Sequence, residues 1–384
     1  MQNYRNGKWV DQILSQRRED GLWGNFHALS RPVSGKSYTT EQAIRRLYYL
    51  GYTAEDEVIR IVLRRMEQCI KGELAIDDYS EKKHEWSFFE KLMLAAWLRI
   101  FEPQNKTALE VAYQWAEIVE KAFSGGSYSV ADDIAAFTEW KGRKPKSGFE
   151  TGFGMFYHAA LLPKVLSPKT EDLFLDYYLS KPDGMYYIYD QPLNQLPEVF
   201  ASRKSSCYIA AIEVLSRYDK AKDKLNFVMD WLNANRNESG LWDFGEKAKD
   251  GVYFPLSDRW DKTTRIIDST YRISKLFAMP CYCGHDCSKC ITYIATQTND
   301  DDLRRQSQRF YKERFGLDIP LEKFNCDGGR SKKVYELCED CPFSKCCMEH
   351  GIDACNKCPE YPCKEILDYQ EKYVNKCNQQ ERKR

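Results

Sequence analysis

RREDGLW at residues 17–23 and RNESGLW at residues 236–242 are two copies of one turn, and each copy follows a segment with helical spacing of apolar residues. A shorter copy, DGMY, stands at residues 183–186, and weaker glycine turns at Gly72 and Gly125 lie between the copies. The glycines recur at intervals of roughly 50 to 60 residues, which is typical of an array of structural repeats. A glycine just past a helix end can adopt the left-handed conformation that closes the helix. The pattern therefore predicts about five helical hairpins.

Apolar residues recur every three or four positions through most of residues 1–279, for example at Val58, Val62 and Met66. This is the spacing of amphipathic helices, and alternation typical of a strand is confined to residues 185–189. We therefore predict an all-α fold, arranged as an α/α-toroid-like array. The expected inner helices are residues 37–50, 84–100, 149–165, 205–218 and 262–277, and the expected outer helices are residues 8–16, 54–70, 107–123, 170–179 and 222–234.

Helical hairpins joined by a turn of the Asp-Gly-x-Trp-Gly type resemble the α/α-toroid of squalene and terpenoid cyclases and of protein prenyltransferase β subunits. The resemblance covers roughly the first 275 residues and implies the fold alone. In class II terpenoid cyclases an Asp-x-Asp-Asp motif protonates the substrate, because neighbouring carboxylates keep one aspartate protonated. The stretch VADD at residues 130–133 matches that motif only in Asp132 and Asp133, since Val130 replaces the first aspartate.

Asp132 and Asp133 are therefore candidate catalytic residues, and His84 and Glu150 are further candidates. Each of the latter two also has a structural explanation. His84 can simply be solvated at a helix start, and Glu150 can complement the dipole of a helix N-terminus. We expect an aromatic-lined cavity of the toroid to bind an apolar or small organic ligand. The side chains expected to line it are Trp23, Trp86, Trp242, Arg265 and Asp268.

The chain carries 57 basic and 57 acidic residues, so its charge gives no indication of a nucleic-acid partner. Residues 1–10 lack an apolar stretch long enough for a signal peptide or a membrane span. We expect a cytoplasmic protein that does not span a membrane. Of the fifteen cysteines, only Cys69 and Cys207 precede residue 280. In a reducing compartment such crowding indicates metal binding rather than disulfides.

The composition changes after Pro280, which predicts a helical domain at residues 1–279 and a cysteine-rich domain at residues 280–384. The spacing Cys-x-x-Cys-Pro-x-x-x-Cys occurs twice, at residues 338–346 and 355–363. A Cys-x-x-Cys turn directs two thiolates to one ion, and two such turns complete a tetrahedral site, so we expect about two zinc ions. The predicted ligands are Cys283, Cys287, Cys290, Cys326, Cys338, Cys341, Cys346, Cys355, Cys358 and Cys363.

The same segment resembles a prokaryotic cysteine-rich family of unknown function, whose members begin Cys-Gly-x-Asp-Cys-x-x-Cys, continue through Ala-Thr-x-Thr-Asn-Asp and reach Cys-Asp-Gly-Cys. The matching stretches here are CGHDCSKC at residues 283–290, ATQTND at residues 295–300 and CDG at residues 326–328. Gly329 departs from the pattern, which has a cysteine there. The resemblance implies a zinc-binding fold, and the departure leaves that site one ligand short unless another residue, such as Cys281, serves it.

Other interpretations of the cysteines stay open. Four thiolates suit an iron–sulfur cluster as well as zinc. The spacing of Cys283, Cys287 and Cys290 is that of a radical S-adenosylmethionine site, but such a site opens a barrel of about 200 residues or more. Only about a hundred residues follow here. Sites made of cysteine alone leave no open position for water, which favours a structural role over catalysis.

These observations lead to one main hypothesis, a two-domain zinc-binding protein whose helical toroid binds an apolar or small organic ligand. One alternative is an enzyme like the terpenoid cyclases or prenyltransferases. A second is a protein-interaction scaffold whose two zinc-binding segments, residues 338–346 and 355–363, present a surface to a partner protein. A third is an iron–sulfur redox protein. Whether the chain is an enzyme stays open, because a fold of this kind hosts many functions.

Overall fold

Two compact units make up the chain. The helical unit comprises Gln2–Asn235 and Asp243–Ser269, and the C-terminal unit comprises Met1, Arg236–Trp242 and Thr270–Arg384. The predicted domain boundary near residue 279 stays a prediction. The computed structural model describes residues 4–30, 32, 35–76, 78, 85–146, 148, 150–238, 241–276, 281–282, 287, 290–297, 300–326, 328–329, 335–339, 341–352, 354–355 and 358–369.

The helical unit consists of α-helices and the turns that join them, so the predicted all-α class is confirmed. Among the described residues, β-pairing is confined to isolated bridges between Met155 and Tyr186 and between Met185 and Tyr189. The toroid arrangement stays a prediction. The helices are α1 (Lys8–Leu14), α2 (Thr40–Tyr49), α3 (Glu57–Ile70), α4 (Trp86–Phe101), α5 (Lys106–Ala122), α6 (Val130–Lys141), α7 (Phe156–Leu161), α8 (Pro168–Ser180), α9 (Arg203–Leu215), α10 (Ala221–Lys224), α11 (Asn226–Ala234) and α12 (Lys262–Ser274), whose last residues belong to the C-terminal unit.

Short polar side chains begin several of these helices. At α2 the Thr39 hydroxyl accepts a hydrogen bond from the Gln42 N–H, and the Gln42 side chain accepts one from the Thr39 N–H. This reciprocal pair is a capping box. Asn105, Ser129 and Ser167 cap α5, α6 and α8 with one bond each. Each cap satisfies an N–H that the helix itself leaves without a partner, which fixes where the helix starts.

Two segments differ from the sequence-based prediction. The sequence does not predict α6, yet residues 130–133 form its first turn. The helix expected over residues 149–165 is reduced to the six residues of α7. Gly152 and Phe153 have φ values of 78° and 49°, which a right-handed helix cannot contain. The helix therefore starts only after them, and Lys164, at φ 68°, follows its end.

Helix α4 forms the centre of the helical unit's core. It packs against α3, α5 and α7, and every residue from Leu92 to Leu98 is buried. A helix that is apolar on all sides lies inside a protein, because each face needs a neighbour. No helix within the described ranges is both long enough and apolar enough to cross a membrane.

The two copies of the repeated turn have two hydrogen bonds in common among the described residues. In each copy a backbone N–H closes the turn onto a leucine carbonyl, and the tryptophan N–H donates to a threonine hydroxyl of a later helix. The bonds join Arg18 to Leu22 and Asn237 to Leu241, both at 2.8 Å, and Trp23 to Thr40 and Trp242 to Thr270, at 3.1 and 3.2 Å. The sequence repeat is therefore also a repeat of local structure.

Three largely buried arginine side chains of the helical unit end on backbone carbonyl oxygens instead of carboxylates. The bonds run from Arg46 to the carbonyls of Val252 and Pro255, from Arg99 to those of Leu161 and Pro163, and from Arg217 to those of Ala160 and Arg99. Burial lowers the pKa of each guanidinium, and that of Arg46 to about 10. All three stay charged at neutral pH, and two of them close the C-terminal end of α7.

The C-terminal unit contains a small aromatic cluster. Phe324, Cys326 and Tyr335 are buried together, and Tyr311 and Ile319 pack against them. The described helices that follow α12 are short, with the exception of the second. They are α13 (Ile291–Gln297), α14 (Asp301–Phe315), α15 (Glu336–Glu339), α16 (Pro342–Glu349) and α17 (Lys364–Tyr369).

Candidate functional site

The predicted acidic pair is divided between solvent and core. Asp132 is exposed in the first turn of α6, whereas Asp133 is fully buried. The Oδ2 atom of Asp133 accepts hydrogen bonds from the Tyr128 hydroxyl and the Gly152 N–H, both at 2.8 Å. Burial raises the pKa of Asp133, and these two donors oppose the shift. The pair does not direct two carboxylates to one point, and Asp133 fastens α6 to the loop before α7.

Glu150 takes part in a network of ion pairs. The Arg143 guanidinium donates to the carboxylates of both Glu85 and Glu150, over distances of 2.9 to 3.1 Å. The N–H groups of Glu85 and Lys146 also donate to Glu150. Burial alone would raise the pKa of Glu150, but these donors lower it to about 2. A carboxylate held this firmly in its ionised form is a poor proton acceptor. The other candidate, His84, lies outside the described residues.

The three tryptophans predicted to line a cavity have different surroundings. Trp23 is fully buried, and its indole N–H donates to the Ile13 carbonyl at 2.7 Å. Trp86 is half-buried at the first position of α4. Trp242, in the C-terminal unit, lies under the guanidinium of Arg236 at 4.5 Å. Trp23 therefore acts as core packing at the repeated turn.

Arg265 and Asp268 lie one turn apart on α12, and each is engaged by a different loop. Arg265 forms two hydrogen bonds with the carboxylate of Asp243, at 2.7 and 2.9 Å. Asp268 is fully buried and accepts the N–H groups of Leu256 and Ser257 at 2.8 and 2.9 Å. Burial raises the pKa of Asp268, while the bonds from Ser257 and Leu256 oppose the shift. Both residues hold loop backbone in place.

A buried carboxylate joins three helices in a group that we call the Glu41 cluster, consisting of Glu41, Arg45, Trp97 and Tyr157. Oε1 of Glu41 accepts hydrogen bonds from the Arg45 guanidinium at 3.0 Å, the Trp97 indole at 2.9 Å and the Tyr157 hydroxyl at 2.8 Å. Oε2 accepts the N–H of Ala28 at 2.6 Å. These partners connect α2 to α4, α7 and the loop before α2. Sequence reasoning misses this cluster.

The charges of the Glu41 cluster stabilise one another. The Arg45 guanidinium lies 5.4 Å from the Trp97 ring centre and 5.1 Å from that of Phe156, close enough for cation–π attraction. Burial acts to lower the pKa of Arg45, but Glu41 and nearby tyrosines raise it overall. Burial and then Glu41 also raise the pKa of Tyr157. The cluster therefore contains a charged guanidinium and a neutral tyrosine at neutral pH.

His158 is a buried imidazole, only 1% exposed. Within the described part of the chain neither ring nitrogen makes a hydrogen bond of normal geometry, although the Met155 backbone is near enough to oppose the lowering of the ring's pKa. The rings of Trp115 and Phe153 lie 4.6 and 5.8 Å away, centre to centre. Burial lowers the pKa of His158 to about 3. The imidazole is therefore neutral at physiological pH.

A shallow apolar cleft lies beside α3 in the helical unit, and its enclosed space is about 10 Å³, room for about one water molecule. Arg65 is the charged side chain in its wall. Arg65 is half-buried and, among the residues that the structure describes, has no ion-pair or hydrogen-bond partner. The apolar lining consists of Leu22, Phe26, Val62, Met66, Cys69, Ile76 and Leu94.

Sulfur atoms approach one another closely in the C-terminal unit. The Sγ atoms of Cys281 and Cys287 are 2.8 Å apart. Backbone N–H groups also point at sulfur, since that of Gly329 donates to Cys287 Sγ at 3.1 Å and that of Gly328 to Cys326 Sγ at 3.4 Å. Such donors favour the thiolate form of a cysteine.

Cys326 brings further thiols into the same neighbourhood. Burial raises its pKa; the Gly328 N–H opposes that shift, and the nearby thiols of Cys290 and Cys287 add to it. Cys326 therefore lies near Cys287 and Cys290, which come from a different stretch of the sequence. The spacing of the cysteines does not predict which of them share an ion.

A second group of thiols forms around α16. Cys347 is fully buried, and its sulfur lies 3.7 Å from that of Cys355. Cys346 is exposed, with its sulfur 3.7 Å from Nδ1 of His350. The sequence spacing selects Cys346 as a ligand and passes over Cys347, because only Cys346 fits the repeated Cys-x-x-Cys-Pro-x-x-x-Cys pattern. The spacing of the cysteines does not show that Cys347, the neighbour of Cys346, is the buried one of the two.

Residues 279–368 match the model of a family described as a protein of unknown function, DUF3795. The match lies wholly in the C-terminal unit and confirms that this segment resembles a family of unknown function. The cysteine pattern of that resemblance and the toroid resemblance stay predictions. No curated protein and no solved structure matches the chain.

The predicted metal ligands are only partly assembled. Cys283 lies outside the described residues. Within the described ranges, no group of three cysteine, histidine, aspartate or glutamate side chains lies close enough together to hold a metal ion. Cys287 and Cys326 are buried, whereas Cys338 and Cys346 are exposed. The structure thus brings several predicted ligands near one another without arranging three of them around one point, and zinc stays a prediction.

Proposed function

We propose that the C-terminal unit binds zinc through cysteine thiolates and that the metal has a structural role. The sulfur atoms of Cys281 and Cys287, 2.8 Å apart, carry this proposal together with the neighbouring thiols of Cys290 and Cys326. In a tetrahedral site each sulfur lies about 2.3 Å from zinc and about 3.8 Å from the next sulfur, so the Cys281–Cys287 pair would widen by about 1 Å on binding the ion. The N–H of Gly329, 3.1 Å from the Cys287 sulfur, donates a hydrogen bond that favours the thiolate form.

The donor atoms favour zinc over hard cations. Thiolate sulfur selects zinc, copper(I) or iron–sulfur clusters, whereas magnesium and calcium prefer oxygen. A zinc ion with four sulfur ligands has no open coordination position for water or substrate. Zinc bound in this way holds chain segments together, which is why we assign it no catalytic step.

A small aromatic cluster in the described part of the C-terminal unit supports a structural role for the metal. It consists of Phe324, Cys326 and Tyr335, with Tyr311 and Ile319 at its edge. A cluster of this size stabilises a fold only weakly by itself, and metal binding can supply further free energy. Cys326 belongs to this cluster and also neighbours the other thiols, so a bound ion would join the apolar core to the cysteine loops.

The full chain, purified anaerobically without an affinity metal, is expected to contain about two zinc ions and to show no visible absorption. Removal of zinc by a strong chelator at pH 7 is expected to unfold the C-terminal unit, because the metal supplies its folding free energy. Hydrogen exchange checks this locally: amides of α13 and α14 should lose protection, while those of α4, which serve as the internal control, should keep it.

Two outcomes would count against this proposal. Iron with acid-labile sulfide and an absorption band near roughly 400 nm would favour the iron–sulfur alternative. Unchanged protection of α13 and α14 after complete removal of zinc would show that the metal does not hold the fold. Readdition of zinc to the chelated protein should restore the exchange pattern if the loss was caused by the metal alone.

We further propose that the helical unit binds a small apolar carboxylate in the cleft beside α3. The supporting observation is Arg65, a half-buried guanidinium that has no partner among the described residues and lies in an otherwise apolar wall. A partly desolvated guanidinium favours a carboxylate, which it can bind with two parallel hydrogen bonds. The enclosed space of the cleft is only about 10 Å³, room for about one water molecule, so the chain of a ligand would enter it only after side chains of the apolar wall move.

Calorimetric titration with hexanoate tests this second proposal. The Arg65→Met variant is expected to bind hexanoate at least about tenfold more weakly, because it loses a charge-assisted pair of hydrogen bonds. Arg64→Met, which changes an exposed arginine of the same helix, is the matched control and should bind as the unaltered chain does. Equal binding of hexanol and hexanoate, or equal losses in the two variants, would contradict the assignment.

A further inference from the structure

The sulfur of Cys281 occupies the place of the side chain that Gly329 lacks. A Cβ atom added to Gly329 would lie 2.5 Å from the Cys281 Sγ and 3.4 Å from the Cys281 Cβ. It would also lie 3.4 Å from the Sγ of Cys287. Non-bonded carbon and sulfur atoms do not approach to 2.5 Å, because attraction is optimal only near about 3.5–4.0 Å. A side chain at residue 329 and the present position of Cys281 therefore exclude one another.

The backbone at residue 329 does not require glycine. Gly328 has a φ of 100°, a conformation that residues with a Cβ rarely adopt, but Gly329 is not among the residues with positive φ. Only Gly328 is therefore needed for the shape of the loop. The backbone at position 329 can therefore accept a cysteine, and the Cys281 sulfur is what leaves no room for its side chain.

Cys281 also lies where a ligand contributed by residue 329 would lie relative to Cys287. Its sulfur is 2.8 Å from the Cys287 sulfur, and the N–H of Gly329 donates to the same Cys287 sulfur at 3.1 Å. Two stretches of chain, one containing Cys281 and Cys287 and the other containing Gly329, thus meet at one sulfur atom. The family resemblance implies a cysteine at position 329, where this chain has glycine, and Cys281 is a further cysteine in the same segment.

We propose that Cys281 is a ligand of the same metal ion as Cys287 and supplies the thiolate that a cysteine at position 329 would otherwise provide. This inference rests on the proposed binding of zinc. Each thiol releases its proton to solvent as it binds the ion, so no oxidant or other reactant is involved. The ligand set of this site is therefore drawn from Cys281 and the cysteines that neighbour Cys287.

Moving the thiol from one position to the other tests the assignment in the full chain. Cys281→Ala is expected to weaken zinc binding at one site by more than about 100-fold, since loss of an outer-shell partner alone typically costs about 10–100-fold. The double variant Cys281→Ala/Gly329→Cys is expected to recover most of that affinity, because the new side chain begins 2.5 Å from the place of the Cys281 sulfur and 3.4 Å from the Cys287 sulfur. Competition with a chromophoric chelator measures the affinity, and the sulfur-to-cobalt charge-transfer absorption of cobalt-loaded protein reports the number of bound thiolates.

Cys207→Ala, in α9 of the helical unit, removes a cysteine far from this segment in sequence and should change neither measurement. Unaltered zinc affinity and cobalt absorption in Cys281→Ala would overturn the inference, as would a double variant no better than the single one. A Cys281–Cys287 disulfide, found by mass spectrometry in protein isolated under reducing conditions, would also overturn it. Absence of metal from the unaltered chain would instead refute the proposed function, and it is measured before any variant is compared.

Discussion

Glu41→Leu is expected to lower the free energy of unfolding of the helical unit by about 3–5 kcal/mol, the cost of leaving one partner of a buried ion pair alone. Glu41 is fully buried, and the side chain of Arg45 is only 12% exposed. The substitution also removes the acceptor of the Trp97 indole and the Tyr157 hydroxyl, and a buried donor without an acceptor is costly. Urea denaturation followed by tryptophan fluorescence measures the loss, because Trp97 lies within the cluster.

Two further variants separate charge from packing in this experiment. Tyr157→Phe removes one donor and leaves the ion pair, so a loss of only about 1 kcal/mol is expected. Glu41→Leu/Arg45→Met removes both charges and should be more stable than Glu41→Leu alone, since an apolar pair replaces an uncompensated cation. If Glu41→Leu unfolds in urea as the unaltered chain does, the Glu41 cluster does not stabilise the helical unit.

His158 is expected to make the helical unit lose stability as the pH falls below about 6.5. Its pKa is lowered from 6.5 to about 3 in the folded chain, so between these values the unfolded chain binds a proton that the folded chain does not. The free energy of unfolding therefore decreases by about 1.4 kcal/mol for each pH unit in that window. Between pH 6.5 and 5 this amounts to about 2 kcal/mol from His158 alone.

His158→Phe should remove this contribution while leaving the fold intact, because the imidazole has no hydrogen bond within the described residues to lose. The measurement compares the free energy of unfolding of the two proteins from pH 8 to pH 5, with Trp115 as the neighbouring fluorophore. At pH 7 and above, their difference should be constant, which serves as the control. Parallel curves down to pH 5 would show that His158 is hydrated or protonated in the folded chain.

Local sequence patterns were sufficient for helices that combine regular apolar spacing with a polar cap. Residues 37–50 were expected as a helix and α2 spans Thr40–Tyr49, starting where the capping box of Thr39 and Gln42 dictates. The prediction fails before α7, because the apolar spacing continues through Gly152 and Phe153 while the backbone there has positive φ. Periodicity describes which side chains are apolar and carries no information on such a turn.

The candidate sites are harder to predict from the sequence than the helices, because they are formed by contacts between residues far apart in the chain. A glutamate and an arginine four positions apart are typical of an exposed helix face, and nothing local shows that Glu41 and Arg45 are buried against Trp97 and Tyr157. Asp132 and Asp133 are the opposite case: the sequence motif predicts a site, but adjacent carboxylates on a helix point in different directions and do not form one. For Cys281 the sequence did carry a signal, because one cysteine is additional and one is missing in the same segment.

The arginines that end on backbone carbonyls bear on how the protein responds to ionic strength. Dissolved salt screens exposed charges over about 8–10 Å, so surface pairs such as Lys121 and Glu139 lose attraction in concentrated salt. Arg46, Arg99 and Arg217 instead interact with fixed carbonyl dipoles of the helical unit, and burial shields Arg46 and Arg99 from dissolved ions. The hydrogen bonds between these arginines and the backbone carbonyls therefore keep their strength in concentrated salt. Salt would weaken ion pairs at the surface of this unit before it weakened contacts in the interior.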